Sequence, residues 1–166
     1  MPSYPTALSA STRHANFDNL KIYFLPAVAA TTFIPTRAEM TAGTDLTGEI
    51  SDISGFTVTG NDIDAPDLES EFVSKVPGRT TAEDSSLTFY ADEGTDDVRS
   101  LLPYKTAGFL AFLDGGDIAA QTMDVFPVRV RSVGKTRSVG DELARVVVGF
   151  SITAEPALDV TIPANP

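Results

Sequence analysis

Ala107–Leu113, AGFLAFL, is followed by Asp114-Gly115-Gly116-Asp117 and then by Phe126–Arg131, FPVRVR. Phe109 and Leu113 oppose Leu110 and Phe112, so both faces of the first run are apolar. A strand of that kind is covered on both sides, by core on one and by a helix or partner on the other. Asp-Gly-Gly-Asp is a hairpin turn signal. The returning run alternates, with Phe126, Val128 and Val130 inward and Arg129 and Arg131 outward.

Working outward, Val146, Val148, Phe150, Ile152 and Ala154 share one face of a last strand, while Arg145, Ser151, Thr153 and Glu155 share the other. Ser86–Asp92 alternates too, with Leu87, Phe89 and Ala91 on one side. Thr95 is the expected cap of an amphipathic helix. Asp96 and Asp97 favour its positive end, Val98, Leu101 and Leu102 form its stripe, and Pro103 stops it. Leu20–Leu25 is an aromatic and β-branched strand stopped by Pro26. Thr36 with Glu39 three positions later is a capping box that opens a short helix, ended by Gly43.

Thr44–Asp67 reads as short strands joined by a long acidic loop, with apolar patches at Ile50–Ile53 and Phe56–Val58. A polar hairpin loop is expected over 134–142. Long strands, antiparallel hairpins and few helices predict a mainly β protein. It is an antiparallel β-sandwich or barrel with one flanking α-helix, long loops and extended termini. The expected organisation is an N-terminal arm over 1–19, a β-domain over 20–156 and a C-terminal extension over 157–166. Both ends are rich in Ser, Thr, Ala or Pro and cannot offset their own ordering entropy.

With 166 residues, 42% of them hydrophobic, the chain can bury a core without staples. It has no cysteine and one histidine, His14, which excludes thiol chemistry and His-rich metal clusters. Twelve Lys and Arg against 23 Asp and Glu leave a net charge of −11, the wrong sign for holding phosphates by counterion release. The charge is uneven. Between Glu39 and Asp97 only Lys75 and Arg79 are basic, whereas Val98–Glu155 carries seven basic residues against six acidic ones. The longest uncharged run, Ile22–Thr36, is broken by Pro26 and Pro35 and is too short to span a bilayer. No membrane partner is expected, and the chain reads as cytosolic until assembly.

The motifs that suggest chemistry fall away on inspection. Gly134-Lys135-Thr136 resembles the end of a phosphate-binding loop, but Arg129 stands where its first glycine belongs and no helix follows. The run Asp62, Asp64, Asp67, Glu69, Glu71 invites calcium, yet the sixth and twelfth positions of an EF-hand loop would be Asp67 and Val73. His14 lies in the arm beside Arg13 with nothing to orient it as a base. No enzymatic activity and no cofactor are expected.

Several blocks, in order and spacing, carry a family likeness. They are Pro35–Leu46 (PTRAEMTAGTDL), Ile50–Phe56 (ISDISGF), Lys75–Asp92 (KVPGRTTAEDSSLTFYAD), Met123–Val128 (MDVFPV) and Ile152–Ala157 (ITAEPA). Together they resemble the tail tube, or major tail, proteins of long-tailed bacteriophages, particularly those of actinobacteria, over most of residues 20–164. The resemblance implies a β-sandwich or barrel with a flanking helix, assembled as hexameric rings that stack into a hollow tube. In such tubes neighbouring subunits continue one inner barrel, and loops and arms bridge the rings. It implies a virion protein without catalytic residues, present in the host cytoplasm before assembly. Its implied partners are further copies of itself, a tape measure protein, a tail terminator, baseplate or distal tail proteins, and double-stranded DNA passing transiently through the lumen.

Three regions are candidate contacts between subunits or rings: the 1–19 arm with Arg13, the acidic segment 39–71 and the 134–142 loop. The acidic segment contributes Glu39, Asp45, Asp62, Asp64, Asp67, Glu69 and Glu71, and the loop contributes Lys135 and Arg137. The carboxylates are also candidates for an acidic lumen, whose repulsion of phosphates acts within a screening length of about 8 Å. The alternative reading is a phage or secreted β-sandwich module that binds receptors or carbohydrate; the absence of Trp, and Phe and Tyr mostly in strand patterns, weigh against it.

Overall fold

A computed structural model of the chain describes residues 8–11, 13, 15–94 and 97–164. Ten strands carry the fold: β1 (Lys21–Leu25), β2 (Thr44–Asp45), β3 (Ile50–Ser54), β4 (Val58–Ala65), β5 (Ser74–Ala82), β6 (Ser85–Tyr90), β7 (Ala107–Leu113), β8 (Thr122–Thr136), β9 (Arg145–Ile152) and β10 (Ala157–Thr161). Two short helices, α1 (Arg37–Thr41) and α2 (Val98–Leu101), and a 3-10 turn at Thr47–Glu49 complete it. All pairings are antiparallel.

The main sheet runs β2-β1-β7-β8-β9-β6-β3, with β10 added to β8. Laid flat, its end strands would lie about 29 Å apart at roughly 4.8 Å per strand. Only Leu46–Glu49 separates β2 from β3 in the chain, a link that reaches about 18 Å when fully extended. The sheet therefore curls into a barrel whose seam is bridged by the 3-10 turn rather than by a ladder. Ile22, Phe24, Leu87, Phe89, Leu110, Phe126, Val128, Val130, Val146, Val148 and Phe150 fill its interior as one buried cluster. Phe56 adds its ring to those of Phe112, Phe126 and Phe150, at centroid separations of 4.8, 5.6 and 6.0 Å.

As its two apolar faces require, β7 is covered on both sides. Leu110 and Phe112 join the barrel interior, while Ala111 and Leu113 join an outer cluster with Leu25, Met40, Met123, Val125 and Ile162. α1 supplies Met40 to that outer layer, and its capping box forms as the sequence indicates, with the Thr36 hydroxyl accepting from Glu39 N. Gly43 follows for want of space: a Cβ there would meet Leu25 Cδ2 at 2.5 Å and Phe24 O at 2.8 Å.

Four local expectations change. The second helix is a single turn. Its cap is Asp97, which accepts from Arg99 N at 2.9 Å, while Thr95 and Asp96 lie outside the described residues. Thr44–Asp67, expected as short strands joined by a long acidic loop, holds the short strands β2 and β3, but the expected loop is largely β4, half of a hairpin with β5 that pairs with no other strand among the described residues. Its backbone hydrogen bonds, not buried side chains, make it a strand pair, so hydrophobic alternation could not mark it.

β8 also runs on through Gly134-Lys135-Thr136, because Arg145–Val147 of β9 offers a ladder there; the loop begins at Arg137. Finally, Ala157–Thr161 pairs with β8 and carries Ile162 into the outer cluster. The C-terminal segment is thus knitted into the sheet despite its weak periodicity.

Candidate assembly surfaces

Three features of the fold leave hydrogen-bonding or apolar groups without a partner among the described residues. The first is the β4–β5 hairpin. A lone two-stranded hairpin is marginal in water, and this one exposes apolar side chains as well. Ile63 and Val76, cross-strand neighbours, are 59% and 52% exposed, and Phe72 at its turn is 78% exposed. Ile63 sits over Gly78, where a Cβ would lie 3.0 Å from Ile63 Cγ1 and 2.7 Å from Asn61 O. Pro77, which has no N–H to give, is tolerated because β5 is an edge strand, opposite the irregularity between Gly60 and Asp62.

The second feature is the far half of β8. Up to Val130 it is flanked on one side by β7 and its approach, the last contacts being Lys105 N to Val130 O at 3.0 Å and Val130 N to Thr106 O at 2.8 Å. From Ser132 to Thr136 it pairs, among the described residues, with β9 alone, which leaves its other edge open. Arg129, Arg131 and Lys135 lie along β8, Arg137 just after it and Arg145 at the start of β9, five of the twelve basic residues in an acidic chain. Arg131 bulges out of the ladder and pairs with Asp84 at 2.5 Å, its side chain lying beside Gly149.

The third is the barrel seam. One cleft of about 550 Å³ opens beside β2 and β6, lined by Asp45, Leu46, Glu49, Tyr90 and Val98 among others. A second of about 550 Å³ lies between Asn16–Leu20 and β3, lined by Leu20, Ile22, Ile50 and Ile53. The outer edge of β3 carries no partner strand among the described residues.

The residues singled out in the sequence divide into two groups. Some are engaged in local structure. Glu39 accepts from Thr36 N and Ala29 N, both at 2.7 Å, and these bonds, with that from the Thr36 hydroxyl, hold its carboxyl below the usual range. Asp45 accepts from Thr47 N at 2.9 Å and Thr47 Oγ1 at 2.5 Å, securing the turn that spans the seam. Asp67 accepts from Glu69 N and Ser70 N at 2.9 and 2.7 Å, shaping the hairpin turn.

The others are exposed. Asp62 and Asp64 lie on β4, with Asp64 3.7 Å from Lys75, and Glu69 and Glu71 follow in the turn. Lys135 is on the open stretch of β8, with Arg137 just beyond it. Arg13 is exposed before β1, and His14 lies outside the described residues. The fold thus gathers Asp62, Asp64, Asp67, Glu69 and Glu71 on one hairpin and sets Lys135 and Arg137 together elsewhere. Among the described residues no group of three or more histidine or carboxylate side chains converges as a metal site.

Sequence reasoning missed Ile63, Phe72 and Val76 as exposed groups and β8 as an open edge. The basic residues at 129–145 were the available signal.

A family model for phage tail tube proteins matches residues 10–165. No curated protein matches the sequence. Among solved structures, a chain of the anti-feeding prophage (AFP) baseplate, determined by cryo-EM and 6-fold symmetrised, is similar with a TM-score of 0.56 at 11% identity. That likeness covers 89% of this chain and 95% of the other. A chain of the anti-feeding prophage tube-terminating cap is similar with a TM-score of 0.55 at 10% identity, over 87% and 90% respectively. At such identities the likeness is one of fold.

Proposed function

The chain belongs to the phage tail tube protein family, and from that premise we propose that copies of it form hexameric rings that stack into the hollow tail tube through which phage DNA reaches the host. It is a structural protein of the virion tail, made in the host cytoplasm, with no catalytic step to perform. Its ring neighbours are copies of itself. A tape measure protein inside the tube, a terminator at one end and distal tail or baseplate proteins at the other complete its partners.

The observation that carries this reading is the β4–β5 hairpin. Its strands are eight and nine residues long and find no third strand among the described residues. Ile63, Phe72, Val73 and Val76 remain exposed on it. A projecting apolar strand pair is an aggregation hazard in a monomer and a joint in an assembly. The open β8 edge supports the same reading. A net charge of −11 suits a conduit for DNA, since carboxylates repel phosphates that a basic wall would retain. Exposed aromatics of the kind a carbohydrate- or receptor-binding module would cluster are, among the described residues, Phe17, Phe72, Tyr90 and Tyr104, on four different segments.

Negative-stain microscopy of the purified chain over a concentration series tests the proposal. Rings about one subunit thick, and tubes at higher concentration, are expected. Monodisperse single subunits at every concentration would overturn it.

A further inference from the structure

The hairpin and the open end of β8 differ in charge as well as in position. β4 carries Asp62 and Asp64 and no basic residue, and Asp67, Glu69 and Glu71 follow in the turn. Its basic partners, Lys75 and Arg79, are on β5, the opposite strand of the hairpin. The unpaired stretch of β8 and the residue after it carry Lys135 and Arg137 and no acid. Lys105 lies where the pairing with β7 gives out. Among the described residues both elements have an unused backbone edge, because β4 pairs only with β5, and β8 beyond Val130 only with β9. Both also expose apolar side chains, Ile63 on the hairpin and Val133 and Leu143 at the β8–β9 end.

We propose that the β4 edge of one copy adds to the open β8 edge of the next, with Asp62 and Asp64 facing Lys135 and Arg137 across the junction. This rests on the assembly reading above and names the two surfaces that meet. Basic residues on an exposed edge ordinarily guard it against joining another copy of itself. Here the guard becomes a selector: β8 against β8 sets like charges side by side, as does β4 against β4, whereas β4 against β8 pairs opposite ones. The favoured contact is head-to-tail, the kind that closes into a ring or propagates, rather than a two-fold dimer. Asp62 and Asp64 are thereby assigned to the contact between copies and not to the lumen.

The test uses the full chain with Asp62→Lys/Asp64→Lys, with Lys135→Glu/Arg137→Glu, and with all four changes together. Each double variant is expected to melt like the unaltered chain and to raise the critical concentration for assembly about tenfold, from two reversed cross-strand charge pairs. The quadruple variant, and an equimolar mixture of the two doubles, should recover at least half of that loss on a logarithmic scale. Doubles that assemble like the unaltered chain, or a folded quadruple no better than the doubles, overturn the proposal. Should a variant not fold, the unaltered chain still decides. Raising salt from 0.05 to 0.5 M should increase its critical concentration severalfold, and no increase counts against the pairing. If the unaltered chain forms no rings or tubes, the assembly reading itself fails; if it assembles but ignores charge reversal, only this pairing does.

Discussion

Arg37 and Asp117, eighty positions apart, are joined by a two-point contact: Nη1 donates to Oδ1 at 2.6 Å and Nη2 to Oδ2 at 2.8 Å. The pair ties α1 to the β7–β8 connection, and the Tyr23 hydroxyl reaches the same carboxylate at 3.4 Å. Both side chains are mostly shielded, at 23% and 21% exposed. A forked, charge-assisted contact in that setting is worth about 1–2 kcal/mol. Arg37→Met should lower stability by about that much, as measured by denaturant unfolding. Its loss should loosen the outer layer built on Met40 before the barrel.

The same contact sets an acid limit. The Arg37 guanidinium holds the Asp117 carboxyl below its ordinary value. A carboxylate depressed in the folded state contributes stability above its unfolded pKa, near 3.9, and loses that contribution as pH falls through the folded value. Asp117→Asn should therefore melt below the unaltered chain at pH 7, with the gap narrowing below about pH 4. A gap that is constant down to pH 2.5 would show that the pair does not titrate with folding.

At the C-terminus, Ile162 is 1% exposed in the outer cluster, and its backbone exchanges bonds with Ala120 N at 3.1 Å and Gln121 O at 2.8 Å. Ile162→Ala should cost about 2–4 kcal/mol by leaving a cavity against Met123 and Leu113. Deleting residues 157–166 should cost more, since β8 also loses a strand. Deleting residues 1–15 should leave the melting temperature nearly unchanged, because the described part of that segment, residues 8–11, 13 and 15, is exposed. Calorimetry of the three variants separates the two ends.

That contrast marks what periodicity can and cannot reveal. β1, β6, β7, β8 and β9 were legible because each buries one or two faces, and burial imposes a period of two. The capping box at Thr36 was legible because its chemistry is local. Ala157–Thr161 was not, since its inward residues, Ala157, Val160 and then Ile162, are spaced by three and two across an irregular register and do not alternate. β4 and β5 were invisible for the opposite reason: with both faces exposed, nothing selects an apolar alternation. The candidate site suffered the same way. Asp62, Asp64, Lys135 and Arg137 could be singled out by charge alone, but their placement on two unpaired edges depends on strands that leave no hydrophobic trace.

Asp124 should respond to pH with the opposite sign to Asp117. Partial burial raises its carboxyl above the ordinary value, and the nearby Asp159 and Asp114 charges push the same way, against the bond it accepts from Asp159 N at 2.8 Å. A group raised in the folded state contributes stability below its unfolded pKa and loses it as pH climbs through the folded value. At pH 7 the ionised form is therefore a cost. Asp124→Asn keeps a carbonyl oxygen for Asp159 N and removes the charge, so it should raise the melting temperature at pH 7. The advantage should shrink toward pH 4, and melts at the two pH values check both the sign and its disappearance.

The base of the hairpin is anchored by Phe56, which holds a φ of +58° directly after Gly55 at +81°. Its N–H donates to Ser85 Oγ at 2.9 Å, and its ring packs on Phe112, Phe126 and Phe150. The left-handed backbone turns the chain out of β3, and the ring pins the turn to the barrel. Phe56→Ala should cost about 2–3 kcal/mol, less than a fully enclosed phenylalanine. It should also detach the hairpin, so that limited proteolysis cuts between residues 58 and 82 much faster than in the unaltered chain while the barrel fragment survives. Phe56→Gly relieves the backbone conformation and loses the same ring, so a cleavage rate matching that of Phe56→Ala would assign the anchor to the ring. Restoration of the slow rate by Phe56→Gly would assign it to the turn.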